Sequence, residues 1–153
     1  MIGNGFVFAL SWHYPQKDQD WAIKYLIDNA DSFSEEDIGS LLDRGCKDSF
    51  LNTVKVFSGI GYPKISKAIP SLLMLFQDTN WPGSSEAMDL LCTLSPEAYI
   101  SDLNNTIKEA LDTDDECWVY GIEKFIYRAK IAEKIDKELY KRFTEAYQRY
   151  FDD

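Results

Sequence analysis

Carboxylates and tryptophans recur together at two places in this chain of 153 residues. Gln77-Asp78-Thr79-Asn80-Trp81-Pro82 separates two apolar runs, and Leu111-Asp112-Thr113-Asp114-Asp115-Glu116-Cys117-Trp118 separates another pair. Clustered carboxylates can do general acid–base work, hold a hard cation, or meet the lysines and arginines of another macromolecule. Their surroundings decide between these. His13 is the one histidine, and it sits in Trp12-His13-Tyr14-Pro15, before any strongly periodic segment. No GxSxG nucleophile elbow, HExxH zinc motif, P-loop or GxGxxG dinucleotide fingerprint occurs. The chain is therefore expected to be no enzyme. Carboxylate-only glycosidase chemistry is the enzymatic class that the sequence leaves open.

Asp112, Asp114, Glu116 and Glu123 fall at places one, three, five and twelve of a calcium-loop spacing. Place six is Cys117, where the sharp turn of such a loop needs Gly, and helical periodicity has already begun there. No metal and no cofactor is expected. Acids at a helix start are accounted for by the helix itself, with Asp114 or Asp115 as N-cap and Glu116 near the positive end of the dipole. A binding edge is the functional alternative. If the two turns lie side by side, Asp78, Asp112, Asp114, Asp115 and Glu116 form a rim for basic groups of a partner. Trp81, Trp118 and Tyr120 would be its aromatic anchors. The competing role for the two tryptophans is to lock their turns onto the core.

Composition narrows the partner. With 26 acidic and 16 basic side chains the net charge is −10, which repels nucleic acid and anionic membranes and steers basic proteins inward. Basic and aromatic residues interleave near the C-terminus at Lys137, Tyr140, Lys141, Arg142, Tyr147, Arg149, Tyr150 and Phe151. That pattern can hold single-stranded nucleic acid, but the overall charge favours an aromatic face packed on the body. Cys46, Cys92 and Cys117 are far apart with no CxxC pair, which speaks against a disulfide framework or a cysteine-rich zinc site. Phe6-Val7-Phe8-Ala9-Leu10 is too short for a secretion signal, and no apolar run reaches bilayer length. The expected location is the cytoplasm.

Helical periodicity dominates from about Asp18. Trp21, Ala22, Tyr25, Leu26 and Asn29 share one helix face, and Ser34-Glu35-Glu36-Asp37 reads as a capped start. Asp48 reads as the cap of the helix bearing Phe50, Leu51, Val54 and Phe57. Pro70 falls in or near a first turn, or kinks its helix. Ile100, Leu103, Ile107 and Ala110 line a later face; Trp118, Ile122, Phe125 and Ile126 line the next. A last helix is predicted from roughly Ile131 to Tyr150. The expectation is one all-α domain over residues 1–153, helical from 16 to 151 and extended or irregular over 1–15. Trp81 to Trp118 is an offset of 37 and Ile65 to Ile100 one of 35, near the period of helical-hairpin repeats. Antiparallel hairpins stacked as a short HEAT-like solenoid, or a plain bundle, satisfy this pattern.

From about Pro15 through Arg128 the chain resembles a family of small helical bacterial proteins described as a domain of unknown function (DUF5071). Tyr14-Pro15-Gln16-Lys17-Asp18, Phe76-Gln77-Asp78-Thr79-Asn80-Trp81-Pro82 and Asp115-Glu116-Cys117-Trp118-Val119-Tyr120 carry the resemblance, the middle motif most specifically. It implies a HEAT-like fold and no particular chemistry. Gly83-Ser84, where a more apolar pair is expected, and a long aromatic C-terminal helix depart from the pattern. Small acidic bacterial proteins without catalytic motifs include many immunity proteins, which neutralise toxins delivered by neighbouring cells. The functional expectation is an immunity protein that binds a cognate toxin, a basic nuclease, through its acidic-aromatic surface. The alternative is a non-catalytic HEAT-like adaptor or scaffold.

Overall fold

The computed structural model describes residues 1–152, and they form an all-α fold. The helices are α1 (Asn4–Ala9), α2 (Gln16–Asp28), α3 (Glu35–Gly39), α4 (Leu41–Arg44), α5 (Phe50–Ile60), α6 (Ile69–Met74), α7 (Ser84–Cys92), α8 (Ile100–Asp112), α9 (Glu116–Ala129) and α10 (Lys137–Phe151), joined by short 3-10 turns. Ser34 caps α3 as its sequence predicts, its hydroxyl accepting the Asp37 amide at 3.0 Å. Pro70 occupies the first turn of α6, where its missing N–H is not needed. Helix α2 packs on α5 and α5 on α7; α6 packs on α8, and α8, α9 and α10 pack mutually. The buried ring of Phe76 meets Phe125 at 5.4 Å, and Tyr99 meets Phe125 at 5.3 Å, so aromatic contacts join these layers.

Four expectations are corrected. Residues 4–9 are helical rather than extended. An unbroken apolar run conceals its period, yet Ile2, Val7 and Leu10 are buried while Phe8 is exposed, a helical distribution. Arg44 pins this segment by donating to the Ile2 carbonyl at 2.8 Å and Asn4 Oδ1 at 2.7 Å. The last helix begins at Lys137, not near Ile131: Lys130 turns left-handed (φ 56°) and Asp136 caps α10 through the Leu139 amide at 2.9 Å. Trp21 is 57% exposed rather than buried with Ala22 and Leu26, and its ring stacks on Phe6 at 5.2 Å. Asp48 is no helix cap; its carboxylate accepts the Ser11 hydroxyl at 2.8 Å.

Candidate functional site

Helix α6 ends by tightening into a 3-10 turn at Leu75–Gln77, after which Asp78 is extended (φ −141°, ψ 109°). Asp78 Oδ1 accepts the Asn80 amide at 2.8 Å, which holds the loop in an Asx-type turn. Gly83 closes it with φ 87°, and a Cβ there would meet the backbone of Phe50 and Leu51 at 3.1 Å. That double constraint explains a glycine where an apolar residue was expected. Helix α9 lies directly against this turn. Gly121 abuts the Phe76 carbonyl, and the Trp118 indole N–H donates to the Leu73 carbonyl at 3.0 Å.

The consequence is a cleft of about 300 Å³ lined by Asp78, Asn80, Glu116, Cys117, Tyr120 and Phe151, together with Gln77 and Thr79. Asp78 and Glu116, distant in sequence, thus face one space with an aromatic wall. Tyr120 and Phe151 lie 5.7 Å apart, and Phe151 also meets Tyr147 at 4.9 Å. Two carboxylates beside tyrosine and phenylalanine rings can take a cationic side chain by ion pairing and stacking.

The other predicted residues have different positions. Asp112 is exposed at the end of α8 and does not line the cleft. Asp114 adopts φ 52° and is engaged by the Tyr150 hydroxyl and, at 3.4 Å, by Arg149. Asp115 caps α9, accepting the Trp118 amide at 2.9 Å. Trp118 is 4% exposed, so it is a core strut and not a surface anchor. Trp81 is half-buried against Phe50, with ring centroids 6.0 Å apart.

Sequence reading missed three features in and around this cleft. Phe151 joins the cleft because α10 returns antiparallel to α9, which no local pattern signals. Asp102 and Glu109 line a neighbouring cleft of about 340 Å³ that shares Gln77 with the first. Their seven-residue spacing on α8 puts them on one face, a signal present in the sequence. Burial pushes the Asp102 carboxyl up, opposed by the charge of Lys67.

Glu123 is the third. It enters the groove between α9 and α10 near Tyr140 and Tyr147, and among the described residues it makes no hydrogen bond or ion pair. Burial raises its carboxyl above the ordinary 4.5, so the folded chain keeps the proton to higher pH than the unfolded chain does. Below the unfolded value both states are protonated and burial exerts no penalty. As pH rises through the folded value, the carboxylate must ionise in the groove and stability falls. Glu123→Gln is therefore expected to raise the melting temperature near pH 7, with the gain fading toward about pH 4. Melts of both proteins across that range check it; a pH-independent difference would contradict the assignment.

Elsewhere, Ser11 and His13 both approach the same oxygen of Asp48, at 2.8 and 3.4 Å. The imidazole does not stand between hydroxyl and carboxylate as a nucleophile relay requires. Among the described residues no three His, Cys, Asp or Glu side chains converge on a metal-sized space. No helix there is long and apolar enough to cross a membrane.

The family model described as "Domain of unknown function (DUF5071)" matches residues 47–149. No curated protein and no solved structure matches the chain. The matched span contains the Asp78 turn, the start of α9 and nearly all of α10, so the aromatic last helix lies within the family pattern rather than outside it. The Tyr14-Pro15 motif falls outside the match. About two thirds of the 153 residues lie within it, and the chain belongs to this DUF5071 family.

Proposed function

We propose that this chain is an immunity protein of the cytoplasm that binds and inhibits a cognate toxin, a basic nuclease domain delivered by a neighbouring cell, without catalysis of its own. One juxtaposition carries the reading: Asp78 and Glu116 share a cleft with Tyr120 and Phe151, in a chain of net charge −10. A nucleic-acid-binding surface is rich in Lys and Arg, and an acidic face with ring walls is its electrostatic and stacking complement. Asp102 and Glu109 extend the same charge next door. The immediate rim is Asp78, Glu116 and Tyr120. Asp112 adds to the field around it and Asp114 is offset by Arg149, whereas Asp115 and Trp118 act by holding α9 in place.

Co-expression with the product of the adjacent upstream gene tests the reading. Restored growth and a copurifying complex are expected; toxicity unaffected by this chain would reject inhibition in favour of an adaptor role. Within such a complex, Asp78→Asn with Glu116→Gln should weaken binding by about 10- to 100-fold and flatten its salt dependence. Calorimetry at two salt concentrations reads this. Unchanged affinity in the double variant would place the interface elsewhere.

A further inference from the structure

The Asp78–Asn80 loop has a second cleft on it, of opposite electrical character. Thr79 lines both. This second space, about 360 Å³, lies at the start of α7 and is walled by Thr79, Ser84 and Ser85 on one side and by Lys124, Tyr127 and Arg128 of α9 on the other. Gly83, the N-cap of α7, offers no side-chain acceptor. Among the described residues the Ser84 amide bonds Trp81 and the Ala87 amide bonds Gly83, while the Ser85 and Glu86 amides find no acceptor. Helix α7 is nine residues long, so the positive end of its dipole is developed here.

A separate observation points the same way. Ser84 is 1% exposed, and its hydroxyl is the one buried side-chain polar atom among the described residues without a hydrogen-bond partner. An unsatisfied hydroxyl is a standing penalty in a folded protein, and a ligand oxygen in the cleft that Ser84 lines removes it once the side chain turns outward. Lys124 has no ion pair among the described residues; its ammonium lies 5.5 Å from the Tyr120 ring and keeps its donors. Arg128 pairs with Asp89, yet its guanidinium has further N–H groups to offer.

We propose that this cleft is a phosphate site. The Ser85 and Glu86 amides, the Ser84, Ser85 and Thr79 hydroxyls and the Lys124 and Arg128 side chains would bind the oxyanion. Free amides at a helix start with flanking cations and hydroxyls are the donor set a tetrahedral oxyanion needs. Asp89 offsets one of the two cations and Glu86, exposed in the first turn of α7 and outside the lining, offsets the other at longer range, so the attraction comes from the donors in direct contact and the helix end. That is enough for a group held in contact, while the chain's negative field still repels an extended nucleic acid. Tyr127, 82% exposed, and Met88 continue the wall beyond the donors, as an organic substituent on the phosphate would require.

Titration of the full chain with inorganic phosphate and with phenyl phosphate, followed by amide NMR at constant ionic strength, tests the assignment. Saturable shifts centred on Ser85 and Glu86 are expected, with a dissociation constant on the order of 1 mM for phosphate. Lys124→Gln should weaken binding about tenfold, whereas Lys134→Gln, outside the cleft, should leave it unchanged. Tighter binding of phenyl phosphate, lost in Tyr127→Ala, identifies a phosphate monoester as ligand; equal binding identifies free phosphate. Shifts that fail to saturate, that chloride reproduces, or that survive Lys124→Gln would overturn the site.

Discussion

Trp118→Ala should lower stability by about 3–5 kcal/mol, the range for deleting a buried aromatic side chain. For a chain of this size the melting temperature should fall by about 6–20 °C. Trp118 sits where the end of α6 meets the first turn of α9, with its indole N–H on the Leu73 carbonyl. Truncation removes that hydrogen bond and leaves a void beneath the residues that present Glu116 and Tyr120. Trp118→Phe keeps most of the volume and loses the N–H, so its loss should be nearer 1 kcal/mol. Thermal and urea melts of the two variants separate packing from hydrogen bonding. A melt for Trp118→Ala within about 2 °C of the parent would mean that the site collapses freely and that Trp118 is no strut. The comparison also bears on binding. If Trp118 acts only through position, Trp118→Phe should retain partner affinity, whereas a contact anchor would lose it.

Helical class and several helix starts were legible because they rest on local rules. Ser34 three residues before Asp37, Pro70 early in its segment, and apolar residues at helical spacing each encode a nearby consequence. What failed did so through tertiary demand. Phe6 to Leu10 is apolar throughout, and its helical period emerges only in which residues the body buries. Lys130 adopts a left-handed conformation to turn the chain into α10, a choice the sequence does not advertise for a lysine. At the candidate site, local reading could place carboxylates in turns but could not allot their duties. Asp115 is occupied by the Trp118 amide and Asp114 by the Tyr150 hydroxyl, leaving Asp78 and Glu116 to line the cleft. Among the described residues Glu116 has no hydrogen-bond or ion-pair partner, because it stands one residue past the cap. Phe151, contributed by a helix that begins 21 residues after Glu116, depends on how α10 folds back.

Gly121→Ala reverses the sign that helix propensity assigns to it. Within a regular helix such as α9, glycine to alanine ordinarily stabilises by up to about 1 kcal/mol. At Gly121 the added methyl would fall on the Phe76 carbonyl oxygen, far inside contact distance, with the Phe76 carbonyl carbon 3.0 Å away. The obstacle is backbone in the turn that carries Asp78, so no rotamer change relieves it. Overpacking of this kind typically costs about 1–3 kcal/mol, and here it should exceed the propensity gain. The expected result is a melting temperature lower by several degrees, with a larger fall for Gly121→Val. Gly59 supplies the contrast, because a methyl there meets only side-chain atoms of half-buried Ile27, its terminal Cδ1 and its Cγ1 at 2.8 Å, which a χ1 rotation moves aside while backbone stays put. Gly59→Ala should therefore be near neutral. If Gly121→Ala instead stabilises the chain, α9 can ride outward from the 3-10 turn at little penalty. The cleft between Asp78 and Glu116 would then be adjustable rather than fixed. A destabilised Gly121→Ala with native helicity and weakened partner binding would show that this close approach sets the separation of the two carboxylates.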